Sequence, residues 1–289
     1  MKTKYLTLLL MAGLMAASCY KEDSIDVPQK DYVDSNDPID LFIYDNFIKK
    51  YGVAVRYKYE DRLVDQTKRV TPASRDLVVP MLNFVSDMWI DPFLQVPNGK
   101  KFFEQHVPAE IVLIGSRMYN NDGTVTLGTA DAGARITLTE VDFIDIDNME
   151  WVLQQIHTMY HEFAHIVHQR YNLPPTWNTI SPRGYTSTGT WYTLTDAEAL
   201  DRGFVSPYAT STFNEDFAET VAFLLFDKDF YVKYINDEDT NDGECAPCID
   251  RNAGRAMLRK KYAAVLEHYK QYVGVDLLKV RDAVQKKLQ

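Results

Sequence analysis

The segment His161-Glu162-Phe163-Ala164-His165 lies within a long stretch of helical periodicity and constrains the fold more than any other feature of the chain. Residues four apart lie on the same face of an α-helix, so both imidazoles can reach one metal ion. Glu162 lies about 100° further round the helix, where its carboxylate can contact a water molecule at that ion without being a ligand. The pattern therefore predicts a helix that presents two metal ligands, His161 and His165.

The third ligand must come from elsewhere, because a catalytic zinc ion takes three protein ligands and leaves a fourth position for water. Glu215 and Glu219 are four apart on a predicted helix, so both side chains can face the same way. One carboxylate can bind the metal while the other accepts a hydrogen bond from a ligand histidine. We predict that Glu215 is the third ligand of one zinc ion per chain and that Glu219 is the hydrogen-bond partner. The alternative is an exposed acidic helix.

Two further histidines, His157 and His168, share the helical arc of the predicted ligands. We expect each to line the pocket or to support a ligand rather than to bind the metal. If Glu215 proves distant, His168 becomes the substitute ligand.

The N-terminal residues carry an export signal. Residues 1–4 include two lysines, residues 8–17 are apolar, and Cys19 follows a small residue, as in a bacterial lipoprotein box. We predict a signal peptide over residues 1–18, a lipid-modified Cys19 that holds the protein to a membrane, and a polar tether over residues 19–36. The alternative is simple secretion without a lipid.

The order of predicted elements indicates an α+β fold. The predicted strands are residues 53–59, 110–115 and 134–141, and the predicted helices are residues 39–51, 71–89, 147–171, 196–200, 213–226, 251–272 and 275–287. We therefore expect one domain over residues 37–289. A small N-terminal mixed sheet with helices (about 37–146) packs on a helical half (about 147–289), with an active-site cleft between them. The long loop 172–212 is expected to cover a site.

His161-Glu-x-x-His165, followed by Asn214-Glu215-x-x-x-Glu219, resembles the gluzincin branch of the zincin metallopeptidases. A metzincin would instead continue with a glycine and a third histidine, but residues 166–171 contain no glycine and place Tyr171 where that histidine belongs. The specific motifs cover residues 157–220.

The spacing of Tyr208, seven residues before Glu215, resembles more narrowly the zinc metallopeptidases related to the anthrax lethal-factor-like catalytic domain. With the lipoprotein signal, the chain is similar to the substrate import-associated zinc metallohydrolase lipoproteins of the Bacteroidetes. The resemblance implies that Glu162 is general base and then general acid, and that the Tyr208 phenol donates to the oxyanion. It also implies a zincin fold, an outer-membrane or cell-surface location and neighbouring nutrient-import components. The strand 134–141 is either an ordinary strand or the zincin edge strand that pairs with substrate.

The composition and the remaining cysteines limit the possible partners. With 41 acidic against 31 basic residues and no basic patch among aromatics, the composition argues against nucleic acid as a partner. Cys245 and Cys248 lie in a loop and are either a tight local disulfide or two free thiols, since a zinc knuckle would need a second ligand pair.

The sequence favours a zinc metallopeptidase that acts on a peptide or protein. The alternatives are a zinc-retaining accessory or binding lipoprotein of an import system and a chance motif in a helical lipoprotein. Trp177, Tyr185 and Trp191 in the long loop could contact substrate or only pack. The cleavage specificity is left open.

Overall fold

The structure, a computed structural model, describes residues 35–65, 67–119, 125–126, 128–131, 135–186, 189–238 and 246–289, with backbone alone for 125–126, 128–131 and 246. Residues Asp37–Gln289 form one compact unit. The predicted signal peptide, Cys19, the tether as far as residue 34, and Cys245 lie outside the described residues.

A small mixed sheet forms the strand part of the fold. The described strands are β1 Ala54–Arg56, β2 Glu110–Leu113, β3 Met118–Tyr119, β4 Val125–Thr126, β5 Gly128–Asp131 and β6 Arg135–Leu138. The main sheet has the order β1-β2-β6-β5, in which β1, β2 and β6 are parallel and β5 is antiparallel to β6. Three consecutive residues are buried in both β2 and β6, as expected for parallel strands covered on both faces.

The possibility that strand 134–141 is the edge of the sheet is wrong. β6 lies between β2 and β5, and its residue Ile136 is in register with Ile111 on one side and Ala130 on the other. β5 lies antiparallel along β6 and takes the edge position of the sheet.

Helices dominate the rest of the molecule, and the predicted α+β class is confirmed. The α-helices are Pro38–Ile43, Lys49–Tyr51, Arg75–Val85, Asp91–Leu94, Gly99–His106, Met149–Tyr171, Trp177–Ile180, Asp196–Asp201, Phe213–Phe226, Ala246–His268 and Leu277–Lys287. Short π-helical and 3-10 turns extend or join them. We call Met149–Tyr171 the histidine helix and Phe213–Phe226 the glutamate helix.

The start predicted for the helix over residues 71–89 is wrong. Pro72 forms an isolated antiparallel bridge with Ile114, and the backbone N–H of Gly115 donates to the Thr71 carbonyl at 2.9 Å. A Cβ on Gly115 would collide with the Pro72 carbonyl oxygen, so glycine permits this close approach. The chain is therefore extended here, and the helix begins at Arg75.

The helical run Arg75–Leu94 is, among the described residues, the one long and apolar enough by length and composition to cross a membrane, with a mean hydropathy of 1.2. Its side chains Met81, Val85 and Trp89 are buried inside the protein. The run is thus a core helix.

An aromatic cluster fixes the rotation of the histidine helix. The ring of Phe163 lies 5.2–5.6 Å, centroid to centroid, from the rings of Trp89, Phe93 and Phe103. His161 and His165 each stand two positions from Phe163, and residues two positions apart on an α-helix point about 200° apart. Burying Phe163 in this cluster therefore turns both histidines to the opposite side of the helix. That side faces the glutamate helix, which packs along the histidine helix. Packing therefore directs both imidazoles at the glutamate helix.

Candidate metal centre

The structure brings the three predicted metal ligands together. Glu215 Oε2 lies 3.0 Å from His161 Nε2 and 3.1 Å from His165 Nε2, and the two Nε2 atoms are 3.0 Å apart. Glu215 stands in the first turn of the glutamate helix, where the capping side chain of Thr212 accepts its backbone N–H. Two helices, joined by a loop of more than forty residues, thus converge on one point.

The three atoms fit a zinc ion. Zinc bonds of about 2.0–2.2 Å to imidazole nitrogen and carboxylate oxygen place tetrahedral ligands roughly 3.3 Å apart. The spacing of 3.0–3.1 Å among His161, His165 and Glu215 is close to that value. Two imidazoles and one carboxylate also form the ligand set of catalytic zinc sites that keep one position open.

Charge in the cluster favours a cation. Burial opposes ionisation of Glu215, but hydrogen bonds to His161 and His165 hold its pKa well below the usual range. Burial likewise opposes protonation of His161, but the hydrogen bonds to Glu215 and Glu219 outweigh it and raise its pKa to about 10. The carboxylates therefore hold positive charge at this point, as a proton or as a metal ion.

Glu219 contacts three other side chains of the site. Its Oε1 lies 2.7 Å from His161 Nδ1 and 2.6 Å from His157 Nε2, and its Oε2 accepts the hydroxyl of Ser206. Glu219 is almost completely buried. Burial opposes its ionisation, but the neighbouring His157 and His161 lower its pKa strongly. A carboxylate held this way fixes the ring orientation of a ligand histidine.

His168 occupies the corresponding position behind His165. Its Nε2 lies 2.8 Å from His165 Nδ1, and burial lowers its pKa to about 4. His157 and His168 therefore contact other site residues through hydrogen bonds, while Glu215 is close enough to complete the ligand triad.

Glu162 is buried beside the ligands. Burial is the main cause that raises its pKa, and the nearby imidazoles of His161 and His165 oppose the increase. A carboxylate whose pKa is raised toward neutrality is better matched to taking and returning a proton.

Tyr208 lies in the short 3-10 turn Tyr208–Thr210, and its ring centroid is 5.8 Å from that of His161. Burial and the nearby carboxylates of Glu215 and Glu162 raise the pKa of its phenol. The phenol is therefore a proton donor over the whole physiological pH range. Trp191 from the long loop packs edge-on against this ring at 5.0 Å.

Trp177 and Tyr185, the other two aromatic residues that the sequence singles out in the long loop, are packing residues. Trp177 is fully buried and donates through Nε1 to the Phe213 carbonyl at 3.2 Å. The Tyr185 hydroxyl donates to Asp216 Oδ2 at 2.6 Å. Of the three, Trp191 alone contacts the Tyr208 ring among the described ring contacts.

Sequence reasoning missed Ser206 and the buried ion pair between Lys261 and Asp216, whose Nζ–Oδ1 distance is 2.8 Å. A serine in a loop and a lysine in a charged helix carry no local signal, because only the fold brings them to Glu219 and Asp216. Cys248 is disulfide-bonded, and its predicted partner Cys245 lies outside the described residues.

Residues 33–278 match the model of a family described as "Putative zinc-binding metallo-peptidase". Among solved structures, the chain is similar to the crystal structure of a putative zinc-binding metallo-peptidase from Bacteroides caccae. The two share 29% sequence identity with a TM-score of 0.67, over 86% of this chain and 91% of that chain. No curated protein matches the sequence.

Proposed function

The chain belongs to the family of putative zinc-binding metallo-peptidases, and from this premise we propose that it hydrolyses peptide bonds with the site described above. The observation that carries the proposal is the convergence of His161 Nε2, His165 Nε2 and Glu215 Oε2 within 3.0–3.1 Å of one another. Glu162 and Tyr208 flank that point with the proton acceptor and donor that peptide hydrolysis needs.

His161, His165 and Glu215 would hold one zinc ion per chain. When bound, zinc supplies Lewis acidity, which polarises the scissile carbonyl and makes water acidic enough to attack near neutral pH. Glu219 accepts the Nδ1–H of His161 and so directs the lone pair of Nε2 toward the metal position.

Glu162 would act as the general base. Its carboxylate takes a proton from the attacking water and returns it to the amine as the peptide C–N bond breaks. The buried position keeps bulk water away and raises its pKa, which suits both transfers.

Tyr208 would stabilise the oxyanion that develops on the scissile carbonyl. Its protonated phenol can donate a hydrogen bond there, and one such donor contributes roughly 3 kcal/mol. The Trp191 ring against Tyr208 limits the orientations of the phenol.

We further propose that the mature protein is a lipoprotein of the outer membrane or cell surface that acts together with nutrient-import components. The basic start, apolar run and Cys19 support this location. Its substrate would be a peptide or protein, and its contact with the membrane would be through the lipid on Cys19 alone.

Converting Glu162 to Gln tests the proposal. We expect turnover of a peptide library to fall about 10²- to 10⁴-fold, because the proton acceptor is removed. Zinc content should remain as in the wild type, because Glu162 is not a ligand. Glu150→Gln, on the exposed first turn of the same helix, is the matched control.

Equal activity of Glu162→Gln and the control would contradict the role of Glu162. A wild-type protein that holds zinc, binds peptides and cleaves none would favour the accessory binding lipoprotein instead.

A further inference from the structure

We propose that His168 is a positioning residue that holds His165 in its metal-binding orientation by accepting the hydrogen bond of the His165 Nδ1–H. The inference rests on the proposed zinc site. It assigns to a neutral histidine the task that a carboxylate, Glu219, performs for the other ligand.

The geometry supports a direct hydrogen bond. His165 Nδ1 and His168 Nε2 are 2.8 Å apart, and the two ring planes meet at 71° with their centroids 5.1 Å apart. The residues are three apart on the histidine helix, a spacing that places their side chains side by side. At the same time His165 Nε2 faces His161 and Glu215, so the ring uses its two nitrogens for two different partners.

Proton positions follow from that arrangement. A histidine that binds metal through Nε2 must carry its proton on Nδ1. His165 Nδ1 is then a donor, and His168 Nε2 must be the acceptor. His168 can accept only as the neutral tautomer with its proton on Nδ1.

The ring of His168 is itself held by packing. Only 7% of the residue is exposed, and Phe217 of the glutamate helix contacts it edge-on at 5.9 Å. Phe217 is two residues beyond the predicted ligand Glu215 on the same helix. One helix thus supplies both a ligand and the residue that packs against His168.

The two ligand histidines therefore have acceptors of different charge. Glu219 brings a negative charge to His161, whereas His168 adds none to His165. With Glu162, Glu215 and Glu219 already present, a fourth carboxylate in this buried cluster would add like-charge repulsion. A neutral acceptor avoids that cost while fixing the ring.

Substitution of His168 tests the proposal by zinc affinity, measured at fixed pH by competition with a chromophoric chelator. His168→Leu removes the acceptor and should weaken zinc binding about 10- to 100-fold, the range for loss of an outer-shell partner. His168→Gln places an amide oxygen near the position of Nε2 and should stay within a few-fold of wild type. His106→Leu is the matched control, because His106 is also buried and also hydrogen-bonded to the histidine helix, through Tyr171 at 3.0 Å.

The outcomes separate the two proposals. Wild-type protein that binds no zinc would contradict the proposed function. Wild-type protein that binds zinc, with His168→Leu equal to His106→Leu, would overturn the role of His168 alone. Equal losses in the Leu and Gln variants would also overturn it, since packing rather than the acceptor would then matter.

A second measurement needs no substitution and so covers the case in which His168→Leu does not fold. Nitrogen-15 NMR of the zinc-loaded wild type reports which ring nitrogen of each histidine carries the proton. We expect His168 to carry it on Nδ1, with Nε2 bare. A proton on His168 Nε2 would overturn the proposal.

Discussion

Glu215 and Asp216 are neighbours on the glutamate helix, yet their carboxylates are neutralised in different ways. Glu215 faces the imidazoles of His161 and His165, whereas Asp216 forms a fully buried ion pair with Lys261. In the first region, we propose that an exchangeable metal ion supplies the compensating charge. In the second it is a side chain of the same molecule, which cannot leave.

The surroundings of Asp216 are closed in every direction. Lys261 Nζ also donates to the Gly203 carbonyl at 2.7 Å and lies 3.6 Å from the centroid of the Phe204 ring. The second carboxylate oxygen of Asp216 accepts a hydrogen bond from the Tyr185 hydroxyl. Burial raises the pKa of Asp216 and lowers that of Lys261, and the pairing opposes both shifts. Two adjacent buried carboxylates can thus serve structure and chemistry separately. The Asp216 region fixes the loop, and the Glu215 region stays available for a ligand.

The largest expected effect is on the closed region. Lys261→Met should lower the free energy of unfolding by about 3–5 kcal/mol, because it leaves a buried carboxylate uncompensated. Urea unfolding measures this loss. Lys260→Met, on the exposed neighbouring lysine, is the control. Equal stability of the two variants would contradict a stabilising role for the ion pair between Lys261 and Asp216. Adding Asp216→Asn to Lys261→Met should restore part of the loss.

Glu215→Gln should act on the other region. Zinc affinity should fall by more than about 100-fold, since a ligand is lost rather than an outer partner. Zinc should therefore no longer raise the melting temperature of this variant, whereas it should still raise that of Lys261→Met. Thermal unfolding with and without zinc measures both. A Glu215→Gln protein that zinc still stabilises fully would show that Glu215 is not a ligand.

A third carboxylate, Glu238, extends the comparison to the surface and should show the smallest effect. Hydrogen bonds from Arg251 and then Arg255 lower its pKa to about 2. A lowered pKa in the folded state means a stabilisation that is complete above the ordinary value of 4.5 and disappears as the pH falls toward 2. Because solvent screens the partly exposed Glu238 carboxylate, Glu238→Gln should cost less than about 1 kcal/mol near neutral pH.

Unfolding of Glu238→Gln and wild type across that pH range checks the sign. The difference between the two proteins should shrink on acidification. A difference that grows below pH 4 would contradict the assignment.

Local periodicity was enough to predict the faces of the two helices. The shared face of His161 and His165 follows from their spacing of four, with Glu162 about 100° further round the helix. The same spacing predicts the shared face of Glu215 and Glu219. The α+β class followed from the order of strands and helices. The bounds of the glutamate helix, Phe213–Phe226, agree with the prediction because its Thr212 cap and its apolar run are local signals.

Features that depend on distant contacts could not be predicted. Pro72 is extended because Ile114 and Gly115 bind that segment from forty residues away. β6 is internal because the backbone of β5 covers it, which no pattern in residues 134–141 could show. Ser206 and Lys261 become relevant only where the fold places them against Glu219 and Asp216. The metal-ligand roles themselves stay predictions, which the geometry supports.

X-ray absorption at the zinc edge, on the purified wild-type chain loaded with zinc, tests the proposed metal site most directly. We expect one zinc ion per chain, bound by two imidazoles and a carboxylate oxygen, with no sulfur ligand. A chain that retains no zinc, or a zinc ion bound by sulfur or by other than two imidazoles, would contradict it.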